Sequence, residues 1–240
     1  MISKRGSGEV RYSDYAFIFD MDGTLVDNMR FHTDAWRELL AERNMKVDAH
    51  EFLVRTAGKT NREVVPEIFG NISDAEVEHI SNLKESKYRE LFLPHRRLVA
   101  GAREFIEKAV ELGIKMAVAT AAPPENVEFI IDGMNLRGQF DAIVTAADVK
   151  RGKPDPEIFL KSAERVGVDP SRCMVFEDAL GGFEAAFRAG MKSVGIATVN
   201  PLESIMRLEG VIASSIDFTP FSPERLIEEH LMKSGVANVR

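Results

Sequence analysis

The sequence predicts an α/β fold: an open parallel sheet with helices on both faces and an inserted domain made of helices. Three observations predict it. They are short apolar runs that do not alternate with polar residues, helical stretches between these runs, and a long segment, residues 28–97, without a convincing strand. Apolar runs without alternation are typical of strands buried on both faces of a parallel sheet. Strands that alternate with helices favour the same architecture.

The elements follow one another in a regular order. The candidate strands are the apolar runs at residues 16–19, 115–119, 142–144, 174–176, 193–197 and 211–216. Helical spacing of apolar residues is found at residues 102–111, 156–166, 182–189 and 223–231. In open sheets of this kind ligands bind outside the carboxyl ends of the strands, so functional residues are expected there.

The segment after the first strand is predicted to form a separate helical domain. Helices are expected near residues 29–44, 49–56, 62–69 and 74–92. The expected division is a catalytic core of residues 1–27 and 98–240 and a cap of residues 28–97.

Composition restricts the class of protein. Hydrophobic residues make up 45% of the chain and charged residues 29%, which excludes a disordered chain. The formal net charge of −7 argues against non-specific binding to nucleic acid or to anionic membranes. No apolar run approaches the roughly 18 residues that a membrane span requires. The basic start lacks a following apolar stretch, so no secretory signal is expected, and residues 1 to about 13 are interpreted as a polar leader.

Cys173 is the single cysteine of the chain. It excludes an intrachain disulfide and a zinc site built from a cysteine cluster, so a reducing compartment, the cytoplasm, is expected. Because Cys173 precedes a short apolar run, it is interpreted as a buried core thiol rather than a catalytic one.

The first predicted strand ends in a pair of acidic residues, Asp20 and Asp22, followed by Gly23. Two carboxylates at the end of a buried strand are costly unless their charge is compensated. A hard divalent cation such as Mg²⁺ would compensate it, and Gly23 would let the backbone turn with its amides free for an anion. An Asx turn after a strand is the alternative, so this motif alone leaves its role open.

Three further strand ends or loops carry polar residues. Thr120 precedes an expected helix, where its hydroxyl fits either a phosphate site or a helix N-cap. Lys153, just before another helix, could neutralise a phosphate oxygen or be a solvated loop lysine. Glu177 and Asp178 precede a glycine-rich turn, where Asp178 could instead cap a helix. Taken together, the acid pair, hydroxyl, lysine and second acid pair indicate a site for a cation and a phosphoryl group.

The order and context of these motifs resemble the haloacid dehalogenase-type phosphotransferase superfamily, from about residue 16 to about residue 199. The helical insert resembles the subgroup that contains β-phosphoglucomutase and small sugar-phosphate phosphatases. The resemblance implies a Rossmann-like core with a helical cap that closes over the substrate as a lid.

The resemblance also implies roles for the motif residues. Asp20 would be the nucleophile that forms an aspartyl phosphate, and Asp22 would be the general acid and base. Thr120 and the Ala121 amide would hold the phosphoryl group, and Lys153 would neutralise its charge. Positioning and charge stabilisation dominate phosphoryl transfer, so this set is chemically sufficient.

A magnesium site is implied in the same way. Its ligands would be the Asp20 carboxylate, the Asp22 main-chain carbonyl and the Asp178 carboxylate. Glu177 would contact these ligands rather than the ion, or would reach the ion through a water molecule. An acid at position 22 also favours phosphoryl transfer over dehalogenation, because displacement of a halide needs no proton donor.

The cap is expected to supply specificity. His32 lies four residues before Trp36 on a helical stripe, where it could be a core histidine or a substrate-binding one. Arg62 lies near a helix start, where its charge opposes the helix dipole, so binding a substrate group would explain it better than local stability. A solvated arginine is the alternative. Lys59 is a weaker candidate for the same role.

The favoured function is a Mg²⁺-dependent phosphatase for a small phosphorylated metabolite, a sugar or polyol phosphate, acting as a monomer. A phosphomutase of the β-phosphoglucomutase type is the alternative, since His32 and Arg62 resemble its lid. Against it, Ala121 and the residues after it differ from the serine, lysine and asparagine of the mutase pattern, and Asn28 replaces its hinge threonine. A signalling receiver also uses Asp, Thr and Lys, but such modules lack a helical insert and have no use for Asp22.

Overall fold

A single parallel sheet forms the centre of the protein. The structure, a computed structural model, describes residues 10–45, 48, 52, 55–56 and 59–232. The strands are β1 (Ala16–Phe19), β2 (Lys115–Ala119), β3 (Ala142–Val144), β4 (Cys173–Glu177), β5 (Lys192–Ile196) and β6 (Val211–Ser215). They pair side by side in the order β3-β2-β1-β4-β5-β6, and every pairing is parallel.

Helices cover the sheet and make up most of the described residues between its first two strands. In the described part of the chain they are α1 (Met29–Ala41), α2 (Asn61–Phe69), α3 (Asp74–Phe92), α4 (Ala102–Glu111), α5 (Pro124–Val127), α6 (Glu157–Val166), α7 (Leu180–Arg188), α8 (Leu202–Ile205) and α9 (Pro223–Leu226). Helices α5 and α9 each continue into a π-helical turn, at Glu128–Asp132 and Ile227–Leu231.

Both faces of the central strands are buried, which explains why these strands show no alternation. Strands β1 and β4 are buried along their whole length. One face carries a cluster of aromatic rings in mutual contact, Phe17, Phe19, Phe105, Phe176 and Phe218. On the other face, Ile18, Val175 and Phe159 belong to a second apolar cluster.

The helices of the insert have a core of their own. Trp36 and Leu40 of α1, Val65 of α2 and Ile80 of α3 belong to a third apolar cluster. Because this cluster is separate from those of the sheet, the insert is a helical cap on the sheet domain.

The predicted fold, an open parallel sheet with an inserted helical cap, is confirmed. Every predicted strand agrees with the observed one to within one residue at each end. The helix predicted at 29–44 ends at Ala41, and the one predicted at 49–56 lies largely outside the described residues, as does most of the predicted leader. The bounds of the two domains stay a prediction. Every helix in the described ranges is too short or too polar to cross a bilayer.

Cys173 is buried at the start of β4, as predicted. Burial, with a smaller contribution from Asp169, raises the pKa of its thiol to about 12. We therefore expect the native protein to react with iodoacetamide at pH 8 at least about 100-fold more slowly than the unfolded chain, because the thiolate is the reactive form. Mass spectrometry of native and urea-unfolded samples measures this, and comparable labelling rates would contradict the buried position.

Candidate active site

Strand register brings the predicted site residues to one edge of the sheet. Phe19 of β1 is paired with Val118 of β2 and with Phe176 of β4. The residues that follow these strands therefore lie side by side, and the Asp20 N–H donates to the Phe176 carbonyl at 3.0 Å. Asp20 and Glu177 thus emerge next to each other at the carboxyl ends of central strands, where ligands bind in folds of this kind.

Lys153 reaches this edge from the loop that precedes α6. Its ammonium Nζ donates to Asp20 Oδ1 at 2.6 Å and to Glu177 Oε1 at 2.5 Å. All three side chains are buried. The alternative of a solvated loop lysine is therefore wrong: Lys153 is a buried cation between two carboxylates.

Glu177 is fixed through both of its oxygens. Besides the contact with Lys153, its Oε2 accepts hydrogen bonds from the N–H groups of Asp178 and Ala179, at 2.7 and 2.8 Å. The carboxylate folds over the start of α7, where a Cβ on Gly182 would lie 1.8 Å from Glu177 Oε1. Glycine at this position is therefore a requirement of the site.

Asp178 has one oxygen without a partner. Its Oδ1 accepts a hydrogen bond from the Thr24 hydroxyl at 3.1 Å, whereas its buried Oδ2 has no hydrogen-bond partner among the described residues. The turn at Gly23 has φ of +85°, and a Cβ there would lie 2.2 Å from Asp178 Oδ2. A buried carboxylate oxygen without a partner is costly, which indicates that a ligand belongs beside it.

The three carboxylates together fit a hard cation. Asp20, Glu177 and Asp178 each offer an oxygen within 4.8 Å of the other two, and all are buried. Lys153 neutralises only one of the three charges. Burial, with Glu177 and Asp22 and against Lys153, raises the pKa of Asp20 to about 8, and burial likewise raises the pKa of Asp178. A divalent cation among these oxygens would reverse that shift and restore the carboxylates.

Thr120 and Ala121 lie at the end of β2, beside the same carboxylates. The Thr120 hydroxyl accepts a hydrogen bond from the Ala122 N–H at 3.0 Å, so its own hydrogen is free to donate. Both Thr120 and Ala121 line a cleft between sheet and cap. The helix expected after Thr120 begins at Pro124 and continues as a π-helical turn to Asp132.

Asp22 faces the cap. Its Oδ1 accepts a hydrogen bond from Asn28 Nδ2 at 2.5 Å and lies 3.5 Å from His32 Nε2. Lys84 Nζ lies 2.6 Å from the other ring nitrogen of His32, Nδ1. An ammonium can only donate, so Nδ1 is the acceptor, and a neutral His32 carries its proton on Nε2, toward Asp22.

A buried polar network continues from Lys84 to the sheet domain. Lys84 donates to Glu85 Oε1 at 2.8 Å, and Asn61 of α2 donates to the same oxygen at 2.7 Å. Asn126 of α5 donates to Glu85 Oε2 at 2.7 Å and accepts from Arg89 at 2.8 Å. Although burial alone would raise the pKa of Glu85, its charged and hydrogen-bonding partners outweigh burial and lower it to about 2. Glu85 is therefore an anion that links cap and core.

Residues of both the cap and the core line the cleft between them. Thr120, Asp20 and Asp178 lie on its core side. The cap side combines apolar and polar side chains. The apolar ones are Met29, Trp36, Phe52 and Val64, and the polar ones include Thr56, Lys59, Asn61, Lys84 and Glu85.

The three cap residues that were candidates from the sequence lie in different environments. His32 lines the cleft beside Asp22, and Lys59 lines it while its Nζ pairs with Glu67 at 2.7 Å. Arg62 is exposed and is not one of the described residues that line the cleft. The role of all three in substrate binding stays a prediction.

Sequence reasoning missed Lys84, Glu85 and Asn126. One signal was present for Lys84, because it lies at helical spacing between Ile80 and Tyr88, on the buried face of α3. A lysine on an apolar stripe indicates a buried partner. No comparable signal marks Asn126, whose contact with Glu85 depends on how the cap meets the core.

Known proteins are similar to this chain in sequence and in fold. The family model described as haloacid dehalogenase-like hydrolase matches residues 16–190. Fructose-1-phosphate phosphatase YqaB of Escherichia coli is 34% identical over 186 residues, which is 77% of this chain and 98% of that protein.

Two solved structures resemble the protein over nearly its whole length. A HAD hydrolase of family IA, variant 3, from Entamoeba histolytica has a TM-score of 0.82 and 28% identity, and the match covers 91% of this chain and 99% of that one. β-Phosphoglucomutase from Clostridium difficile has a TM-score of 0.76 and 28% identity, with 92% and 99% covered. Because the family model matches residues 16–190, which is most of the chain and includes the residues that meet at the sheet edge, the chain belongs to the haloacid dehalogenase-like hydrolase family.

Proposed function

We propose that the protein is a Mg²⁺-dependent phosphatase that hydrolyses a small phosphorylated metabolite, a sugar or polyol phosphate, through an aspartyl-phosphate intermediate. The observation that carries the proposal is the buried group at the sheet edge. Asp20, Asp178 and Lys153 meet there, with Thr120 beside them and Asp22 facing the cap.

In the first step the Asp20 carboxylate attacks phosphorus. The bond between phosphorus and the leaving oxygen breaks, and that oxygen takes a proton from Asp22 and departs as an alcohol. Lys153 holds Asp20 through Oδ1 and offsets the charge of the transferring group. The Thr120 hydroxyl and the Ala121 amide would bind the phosphoryl oxygens.

In the second step water attacks the aspartyl phosphate. Asp22, now a carboxylate, takes a proton from that water, the bond between Asp20 and phosphorus breaks, and inorganic phosphate leaves. Asp22 is thereby protonated again and ready for the next cycle.

The proposed magnesium ligands are Asp20, the Asp22 carbonyl and Asp178. The partnerless Oδ2 of Asp178 supports this assignment, and the two occupied oxygens of Glu177 support an indirect role for that residue. When bound, the ion would neutralise the charge that the phosphoryl oxygens develop during transfer.

The charge of the cleft favours a phosphatase over the mutase alternative. A sugar bisphosphate carries a second phosphate, which requires a free cation on the cap side. Among the described cleft-lining residues, the cap cations are Lys59 and Lys84, which are paired with Glu67 and Glu85. A neutral polyhydroxylated group fits this surface better than a second dianion does.

A substrate panel distinguishes the two activities. We expect phosphate release with Mg²⁺ from several hexose, pentose and polyol monophosphates, over many turnovers per enzyme. Conversion of β-glucose 1-phosphate to glucose 6-phosphate, assayed in the same buffer with a trace of the bisphosphate, should be at least about tenfold slower, because the cap cations among the described cleft-lining residues are already paired with carboxylates. Faster conversion than release would favour the mutase.

The named phosphatase relative supports a small phosphorylated substrate as partner. Action as a monomer in the cytoplasm, without nucleic acid, stays a prediction.

A further inference from the structure

Asn28 stands where α1 begins, and its identity needs an explanation. At the N-cap position asparagine is common because its side chain accepts a hydrogen bond from the first turn. In this protein the Asn28 side chain makes no such bond, and it is fully buried. Helix capping therefore does not explain Asn28.

The polar atoms of the Asn28 side chain are all used elsewhere. Its Oδ1 accepts from the Gly23 N–H at 3.1 Å, and its Nδ2 donates to Asp22 Oδ1 at 2.5 Å and to the Tyr88 hydroxyl at 2.6 Å. An amide has one acceptor oxygen and two N–H donors. Since an N–H group donates to the oxygen and the Asp22 carboxylate needs a donor, these partners fix the orientation of the amide, although the Gly23 N–H also donates to the Val26 carbonyl at 2.8 Å.

The contact with Asp22 selects one of its two oxygens. Asn28 and His32 both face Oδ1, and no described residue forms a hydrogen bond with Oδ2. Oδ2 is therefore the oxygen left to exchange a proton with a substrate. A carboxylate that rotates freely would spend only part of its time in the productive orientation.

Tyr88 connects this arrangement to the cap. It lies on α3, its ring stacks on His32 with centroids 3.7 Å apart, and its hydroxyl meets Asn28. Burial raises the pKa of Tyr88 well above its ordinary value, so the hydroxyl is neutral. Through these contacts Asn28, which is also bonded to the Gly23 turn, is linked to helix α3 of the cap.

We propose that Asn28 is a positioning residue for the reaction: it holds Asp22 with Oδ2 turned toward the leaving oxygen. Its hydrogen bond with Tyr88 makes this orientation of Asp22 depend on the position of the cap. The inference rests on the proposed function of Asp22 as general acid.

The test compares substrates that differ in their need for a proton. An alkyl leaving group, such as that of a sugar phosphate, must be protonated, whereas p-nitrophenolate leaves without help. For Asn28→Ala we expect kcat/KM to fall about 100-fold on a sugar phosphate but no more than about fivefold on p-nitrophenyl phosphate. Tyr88→Phe, which keeps the ring, should change the ratio in the same direction by a smaller factor.

Asn126→Ala is the matched control, because Asn126 is also a fully buried asparagine between cap and core but does not contact Asp22. It should lower both activities by the same factor. Equal losses on the two substrates in Asn28→Ala and Tyr88→Phe would overturn the inference. If Asn28→Ala does not fold, the ratio in Tyr88→Phe decides alone. A wild-type protein that hydrolyses neither substrate would overturn the proposed function itself.

Discussion

Replacing Asp20 with asparagine is expected to lower kcat for phosphate release by about 10⁴-fold or more. An amide is a poor nucleophile and cannot form the acyl phosphate, whereas its shape fills the same buried position. The hydrogen bond from Lys153 to Oδ1 can persist, so the melting temperature should stay within a few degrees of the wild type. Phosphate release and circular dichroism measure the two quantities.

Asp27→Asn provides the control for Asp20→Asn. It makes the same chemical change on the same segment of chain, but at an exposed side chain outside the site. Its kcat should equal that of the wild type. A loss of only a few-fold in Asp20→Asn would show that the nucleophile lies elsewhere.

Replacing Asp178 with asparagine is expected to remove the effect of Mg²⁺ on stability. In the wild type, Mg²⁺ at 100 times its dissociation constant should raise the free energy of unfolding by about 2.7 kcal/mol. Asp178→Asn lacks the carboxylate whose Oδ2 has no partner, so its melting temperature should not respond at that concentration. Activity should fall about 1,000-fold.

The stability of Asp178→Asn in metal-free buffer provides a second test of the metal site. Three buried carboxylates lie close together with one lysine among them, and burial raises the pKa of Asp178. Removing one carboxylate relieves this crowding, so Asp178→Asn should be at least as stable as the wild type without metal. An Mg²⁺-induced rise in melting temperature that survives in Asp178→Asn would place the ion elsewhere.

Strand ends were the most predictable part of the molecule. Asp20, Thr120 and Glu177 each follow an apolar run, and parallel strands put their carboxyl ends at one edge whatever the details of packing. Lys153 was ambiguous, because only the tertiary structure shows whether a loop lysine is buried.

The cap side was less predictable for a physical reason. Contacts such as that between Asn126 and Glu85 join residues far apart in the chain, and no local pattern records which helix face meets which loop. Asn28 could be recognised only as a departure from a threonine. Its three hydrogen bonds depend on a turn at Gly23 and on Tyr88, sixty positions along the chain.

The link from Glu85 through Asn126 to Arg89 bears on how the product leaves. These contacts between cap and core are hydrogen bonds, at 2.7 and 2.8 Å. When such groups separate, water takes the place of each lost partner, and the net change per bond is only about 1.5–3 kcal/mol even for bonds to charged groups. Packed apolar surfaces would resist the entry of water, whereas hydrogen-bonded polar groups exchange readily with solvent. This part of the boundary is thus suited to repeated opening, as an enzyme that releases an alcohol and phosphate in every cycle requires.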